Sequence, residues 1–164
     1  MTVKKAALVR QVWFLGTAWL VIGVDQFTKH LAIQNLEFAK PVDFLGSIVR
    51  LNLLYNDSAA FSLGFGATWI FTVLSTLATL ALLWFSRKIQ STSWALMGGI
   101  LLGGVVGNLI DRLTRDPGFA IGHVVDFIQI PFNFAVFNIA DIAIVSMCVL
   151  AAIRVIRGEK IGQN

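Results

Sequence analysis

Two aspartates in apolar surroundings hold the most chemistry in this chain. Asp126 follows Val124-Val125 and precedes Phe127, and Asp141 is flanked by Ile139, Ala140, Ile142 and Ala143. Neither has a basic residue close by in sequence. Two such carboxylates, brought together in a poorly solvated pocket, cannot both stay ionised, so one keeps a proton while its partner does not. The ionised partner can take a proton from a water molecule as that water attacks a carbonyl carbon, and the protonated one can polarise the carbonyl oxygen. That is peptide hydrolysis of the aspartic type, with no metal and no covalent intermediate. Other arrangements are poorer. No Gly-x-Ser-x-Gly turn and no His-Glu-x-x-His stretch is present, the histidines are His30 and His123 alone, and the single Cys148 sits in an apolar run.

The other ionisable and amide residues gather with this pair. Asp25 and Lys29 are four apart, hence on one helix face, where they can pair with each other or serve function. Asn56 can bond a substrate backbone or form a turn. Asn108 can bind substrate or orient a carboxylate. Arg112 can hold Asp111, contact substrate or snorkel to the interface. Asn138 precedes Asp141 by three residues. Ionisable groups within or beside apolar spans are costly, which makes such a one-ended set a functional candidate.

Apolar helices must position these residues. The chain has 164 residues, 57% hydrophobic and 13% charged, with a net charge of +4, and its mean hydropathy is +0.77. A soluble domain usually carries about 25% charged residues and cannot hide so much apolar surface. A single polytopic membrane domain over 1–164 is expected. Its spans fall at about 12–27, 67–85, 94–110 and 134–153, with Asp141 about 10 Å into the last at 1.5 Å per residue. The first has the basic start of a signal peptide, but no clear cleavage site follows it and three more spans do. Lys4, Lys5 and Arg10, Arg87 and Lys88, and Arg154, Arg157 and Lys160 lie in short segments at span ends on one side. The positive-inside rule therefore puts both termini in the cytoplasm and the polar cluster near the outer face. Partial alternation at Ile48–Leu53 and His123–Ile130, the latter stopped by Pro131, predicts a small sheet there. Gly98, Gly99, Gly103, Gly104 and Gly107 have the spacing of close helix packing. No basic run with interleaved aromatics suggests nucleic-acid binding.

The motifs Asp25-Gln26-x-x-Lys29, Asn56-Asp57-Ser58-Ala59-Ala60-Phe61-Ser62, Gly103-Gly104-Val105-Val106-Gly107-Asn108-Leu109-Ile110-Asp111-Arg112, Val125-Asp126-Phe127 and Phe137-Asn138-Ile139-Ala140-Asp141 occur in this order. With them the chain resembles the lipoprotein signal peptidases (signal peptidase II), aspartyl proteases of the bacterial inner membrane. The resemblance implies that Asp126 and Asp141 are the catalytic pair. It implies a prolipoprotein substrate whose lipobox cysteine carries a diacylglyceryl group, with cleavage just before that cysteine. It also implies four transmembrane helices with a small extracytoplasmic β-cradle. Asn56, Asn108, Arg112, Asn138, Asp111, Asp25 and Lys29 are then substrate-binding or supporting residues. No cofactor or metal is expected, the partners are the lipidated substrate and membrane lipid, and the chain is expected to be a monomer. One departure is Ser58, where the family usually has Gly, a residue that adopts positive φ more readily. Two rival readings remain: a proton-coupled transporter using Asp25, Asp111, Asp126 and Asp141, and a metal-dependent lipid phosphotransferase. Inner halves poor in ionisable groups disfavour the first, and indifference to a chelator tests the second.

Overall fold

The computed structural model describes residues 3–46, 48–57, 68–132 and 134–163; Ser58 lies outside them. Seven elements follow in order: α1 (Val3–Asn35), β1 (Val42–Leu45), β2 (Val49–Asn56), α2 (Thr68–Ser86), α3 (Thr92–Thr114), β3 (Val124–Gln129) and α4 (Ile139–Ile156). All four helices are long and apolar enough to cross a membrane. They leave large apolar side chains such as Trp19, Leu20, Leu77 and Val145 exposed on their outer faces, the surface that lipid covers.

The helices match the expected spans with informative differences. Helix α2 lies within a residue of the 67–85 span at each end, and α3 extends the 94–110 span by a few residues at both. Helix α1 runs for 33 residues, about 50 Å at 1.5 Å per residue, well beyond a hydrocarbon core of about 30 Å. It continues past Asp25 and Lys29 because those charges are neutralised inside the protein. Helix α4 starts at Ile139 rather than 134. The apolar stretch before it is extended instead: Phe137 exchanges backbone hydrogen bonds with Ile128 (2.8 and 3.0 Å). Asn138 then caps the helix, its side chain accepting from the Asp141 backbone N–H. Asp141 therefore sits in the first turn of α4, not about 10 Å into it.

Helix α3 is the most buried of the four, and glycine lets its neighbours approach. A Cβ on Gly103 would lie 2.8 Å from the Ala18 carbonyl oxygen of α1, and one on Gly104 would lie 2.6 Å from the Ala140 carbonyl oxygen of α4. Adjacent residues thus seat two different helices, the close packing expected of this glycine series. Phe14 and Ala18 of α1 meet Ala95 and Leu102 of α3 in one apolar cluster.

The strands form an antiparallel sheet in the order β1-β2-β3. β2 and β3 occupy the two stretches whose alternation predicts strands; β1 was not foreseen. Leu54 is opposite Asp126 and Asn56 is opposite Val124. The sheet is fixed to the bundle by Leu53, Val125 and Phe127, which pack on Ala32 of α1. The far end of the molecule is closed differently. Arg10 Nε donates to the Ile89 carbonyl (3.0 Å) and Gln11 Nε2 to the Ser86 carbonyl (2.6 Å). The Gly162 carbonyl of the C-terminal tail accepts from Gln90 N–H (2.6 Å) and Ser91 N–H (3.2 Å).

Candidate active site

The end of α3, the sheet and the start of α4 converge where β3 meets the bundle. Asp126 is on β3 and is 3% exposed. Its Oδ1 accepts from Asn138 Nδ2 at 2.7 Å and its Oδ2 from Asn56 Nδ2 at 2.8 Å. Asp141 is less buried. Its Oδ1 accepts from Asn108 Nδ2 at 2.8 Å, and its Oδ2 accepts from the Asn138 backbone N–H at 3.1 Å, closing a capping box. Each carboxylate is therefore held by neutral donors on both oxygens. Burial and the charge of Asp141 push the Asp126 carboxyl up to about 7, against the lowering effect of its bonds to Asn56 and Asn138. Both aspartates line one cavity of ≈ 740 Å³ that extends from them along α2, α3 and α4, past Leu74, Ala78, Val105 and Val145. Such a volume is that of a small-molecule or peptide site.

A second group of charges lies directly behind this pair. Lys29 Nζ is 2.8 Å from Asp25 Oδ2 and 2.8 Å from Asp111 Oδ2, with all three side chains fully buried. Each of these carboxylates also holds a backbone N–H. Asp111 Oδ2 accepts from Val125 N–H (3.2 Å), and Asp25 Oδ1 accepts from Ala140 N–H (3.0 Å). Val125 precedes Asp126 and Ala140 precedes Asp141, so one lysine ties together the backbone supports of both aspartates. Lys29 also donates to Asn108 Oδ1 (3.0 Å), which accepts from Asn138 Nδ2 as well (3.1 Å). Gly107 completes the fit, since a Cβ there would lie 2.6 Å from Asp25 Oδ2.

All of the residues singled out in the sequence meet here, though not always as expected. Asn56 ends a strand and bonds Asp126. Asn108 bonds the Asp141 carboxylate. Asp25 and Lys29 do pair, but as part of a triad. Arg112 does not hold Asp111. Arg115 does, from Nε at 2.7 Å, because a residue four positions on lies over the same helix face while the adjacent one points away. Arg112 lines the cavity instead, donates to the Asn108 carbonyl (3.3 Å) and exerts its charge on Asp141, Asp111 and Asp126. Two contributors were missed. Gln26 Nε2 lies 3.1 Å from each of Asp25 Oδ2, Asp111 Oδ1 and the Gly107 carbonyl. Arg115 is the other, and its i, i+4 spacing from Asp111 was the available signal. Among the described residues no group of three or more His, Cys, Asp or Glu side chains is placed to hold a metal ion.

The model of the signal peptidase (SPase) II family matches residues 17–157, the stretch that contains every one of these residues. The chain belongs to the signal peptidase II family. It is accordingly a membrane protein and a peptidase of the aspartic type, and the transporter and phosphotransferase readings fall away. It is 44% identical to the lipoprotein signal peptidase of Leifsonia xyli over 94% of this chain and 71% of that protein. It is 39% identical to the lipoprotein signal peptidase of Rhodococcus jostii over 91% and 75%. Among solved structures, one described as a bacterial membrane enzyme at 1.9 Å superimposes with a TM-score of 0.75 at 26% identity, covering 87% of this chain and 91% of the other. Another, at 2.3 Å, gives 0.78 at 24% identity over 88% and 87%, a likeness of fold.

Proposed function

We propose that this single-domain signal peptidase II cuts diacylglyceryl-modified prolipoproteins just before the lipidated cysteine, with Asp126 and Asp141 as its catalytic pair. The reading rests on one observation above all: these two carboxylates come from different elements and line the same cavity. Their unequal surroundings divide the work. Asp126, the more buried, holds the proton, and Asp141 is the base. Asp141 takes a proton from water as the water oxygen bonds to the scissile carbonyl carbon, while Asp126 gives its proton to the carbonyl oxygen. The resulting gem-diol collapses: the proton on Asp141 passes to the leaving nitrogen, one hydroxyl returns its proton to Asp126, and the C–N bond breaks. Asn56, Asn108 and Asn138 position the carboxylates. Arg112 faces the cavity as a donor for substrate, and the Asp25–Lys29–Asp111 triad holds the backbone behind them. The apolar run of the cavity along α2 and α4 suits a signal peptide or acyl chain.

Both termini lie in the cytoplasm in this proposal, following the basic residues at that end. The site then faces the outer side of the bacterial inner membrane, and the enzyme acts as a monomer on substrate arriving through lipid. The test is purified enzyme in detergent with a lipobox peptide carrying a diacylglyceryl cysteine. The expected product is the fragment ending before that cysteine, unaffected by chelator. Equal turnover of the unlipidated peptide would refute lipid recognition, since each buried CH₂ contributes about 0.8 kcal/mol.

A further inference from the structure

Helix α2 forms one wall of the active-site cavity through Leu74, Ser75 and Ala78, yet it packs chiefly on α3 and not on the sheet that carries Asp126. Two buried threonines on α2 reach across to that sheet. Thr68 Oγ1 donates to the Asp57 carbonyl at 2.6 Å, and Thr72 Oγ1 donates to the Ala120 carbonyl at 2.8 Å. A threonine hydroxyl within a helix usually turns back to the carbonyl four residues before it, as those of Thr76 and Thr79 do at 2.8 Å. Thr72 Oγ1 is 3.4 Å from that alternative, the Thr68 carbonyl, and lies closer to Ala120. The two acceptors belong to the ends of paired strands. Asp57 follows Asn56, the last residue of β2, whose amide bonds Asp126. Ala120 leads into β3, where Val124 is opposite Asn56. One face of α2 thus grips both strands beside Asp126, with hydroxyls that do not themselves line the cavity.

We propose that Thr68 and Thr72 form a two-hydroxyl clasp that holds the α2 wall of the cavity at a fixed offset from Asp126. The clasp rests on the peptidase reading above. A substrate seated by apolar contact along α2 then presents its scissile carbonyl to the aspartates in one position. Apolar packing of α2 on α3 favours contact but fixes no distance to the sheet; a hydrogen bond to a strand end does. Both threonines are positioning residues, since they act through backbone and touch no reacting atom. Thr68 has a second effect, through Asn56. Asp126 faces Asp141 of α4, Asn138 at the start of α4, Arg112 of α3 and Lys29 of α1 as well as Asn56, and of these Asn56 alone adjoins the residue that Thr68 holds. Loss of the clasp should cost kcat more than KM, because the apolar wall still binds while the carbonyl is displaced. A misplacement of 1 Å costs about 100-fold in rate, so a shift of a few tenths of an ångström corresponds to about tenfold.

The test has two arms, both on purified full-length protein in detergent. In the first, cleavage of the lipidated lipobox peptide is followed in Thr68→Val and Thr72→Val, which keep the bulk and remove the hydroxyl. Each should lower kcat about tenfold with KM little changed, and the alanine variants should behave alike, so that the result does not depend on the fit of valine. Thr68→Ser and Thr72→Ser should restore turnover. Thr76→Val, which removes a hydroxyl bonded within α2, should be normal. The bond from Asn56 lowers the Asp126 value, so Thr68→Val, by slackening it, should move the decline of kcat/KM to higher pH. The second arm needs no substrate. Spin labels at Leu45 of β1 and Leu77 of α2, both exposed, are placed in a Cys148→Ser background. They should give one narrow distance distribution in the parent and a broader one in Thr68→Val and Thr72→Val. Wild-type kcat in the folded valine variants, a rise in KM at unchanged kcat, equal damage from Thr76→Val, or an unchanged distance distribution would overturn the clasp. A parent enzyme inactive on the peptide would instead count against the proposed substrate, and the distance arm would still decide the clasp.

Discussion

Replacing Lys29 by Met should damage this protein in a way that a second substitution repairs. Lys29 is fully buried between two carboxylates at 2.8 Å each. Without it, Asp111 still has Arg115 at 2.7 Å. Asp25 has no such reserve. Among the described residues it keeps neutral donors alone, Gln26 Nε2 at 3.1 Å and Ala140 N–H at 3.0 Å. A buried charge deprived of its partner costs about 3–5 kcal/mol. At about 2–4 °C per kcal/mol for a chain of this size, melting should fall by roughly 6–20 °C. Asp25→Asn alone should be milder, because Lys29 retains Asp111 and the amide oxygen can still accept from Ala140 N–H. Adding Asp25→Asn to Lys29→Met should recover at least about 1 kcal/mol, since it removes the stranded charge. Thermal unfolding of the four proteins in one detergent, followed by circular dichroism, measures this cycle. If the two single losses simply add, so that the double variant is the worst, the reasoning about Asp25 is refuted.

Asp126→Asn and Asp141→Asn should each abolish cleavage in matched, folded preparations, and the double variant should be little worse, because the two groups act as a unit; near-normal turnover in either would sink the assignment. The pH profile carries a defined sign. With its folded value raised from 3.8 to about 7, Asp126 binds more protons in the folded state than in the unfolded one across that window. Its contribution to stability is thus fully present below 3.8 and is lost as pH rises toward and through about 7, and kcat/KM should decline over the same upper limb. Asp126→Asn should flatten the stability profile, and a wild-type activity profile level well above neutrality would contradict the proton assignment. Gly107→Ala should lower both melting temperature and turnover, because its methyl group would press on Asp25 Oδ2 at 2.6 Å; an unchanged melting curve would mean that this contact relaxes freely. A cysteine introduced at Gln163 should resist an impermeant reagent in intact cells, and labelling there would reverse the proposed topology.

Long apolar runs made the four helices legible, and alternation revealed β2 and β3. β1 was invisible because Val42-Asp43-Phe44-Leu45 is four residues long and exposed throughout, with no face to bury. The start of α4 was misplaced because hydropathy does not distinguish an apolar strand-like segment from a helix. The better guide was Asn138 three residues before Asp141, the spacing of a capping box. The gathering of candidate residues at one end could be read from their positions along the spans. Their pairings could not. Lys29 and Asp25 share a helix face in the sequence, but the contact of Lys29 with Asp111 exists only once α1 and α3 have packed. The bonds from Asn108 to Asp141 and from Asn138 to Asp126 likewise join different elements and exist only in the packed protein.

The hydrogen bonds from Gln90 and Ser91 to the Gly162 carbonyl tie two distant parts of the sequence at the end of the bundle away from the aspartates. Ser91 is the N-cap of α3, yet its side chain makes no capping bond, so the backbone that leads into that central helix is fixed by a carbonyl some seventy residues further along. The segment that follows α4 thus anchors the entry to a helix whose other end carries Asn108 and Asp111, and both ends of α3 are held by parts of the chain that come after it.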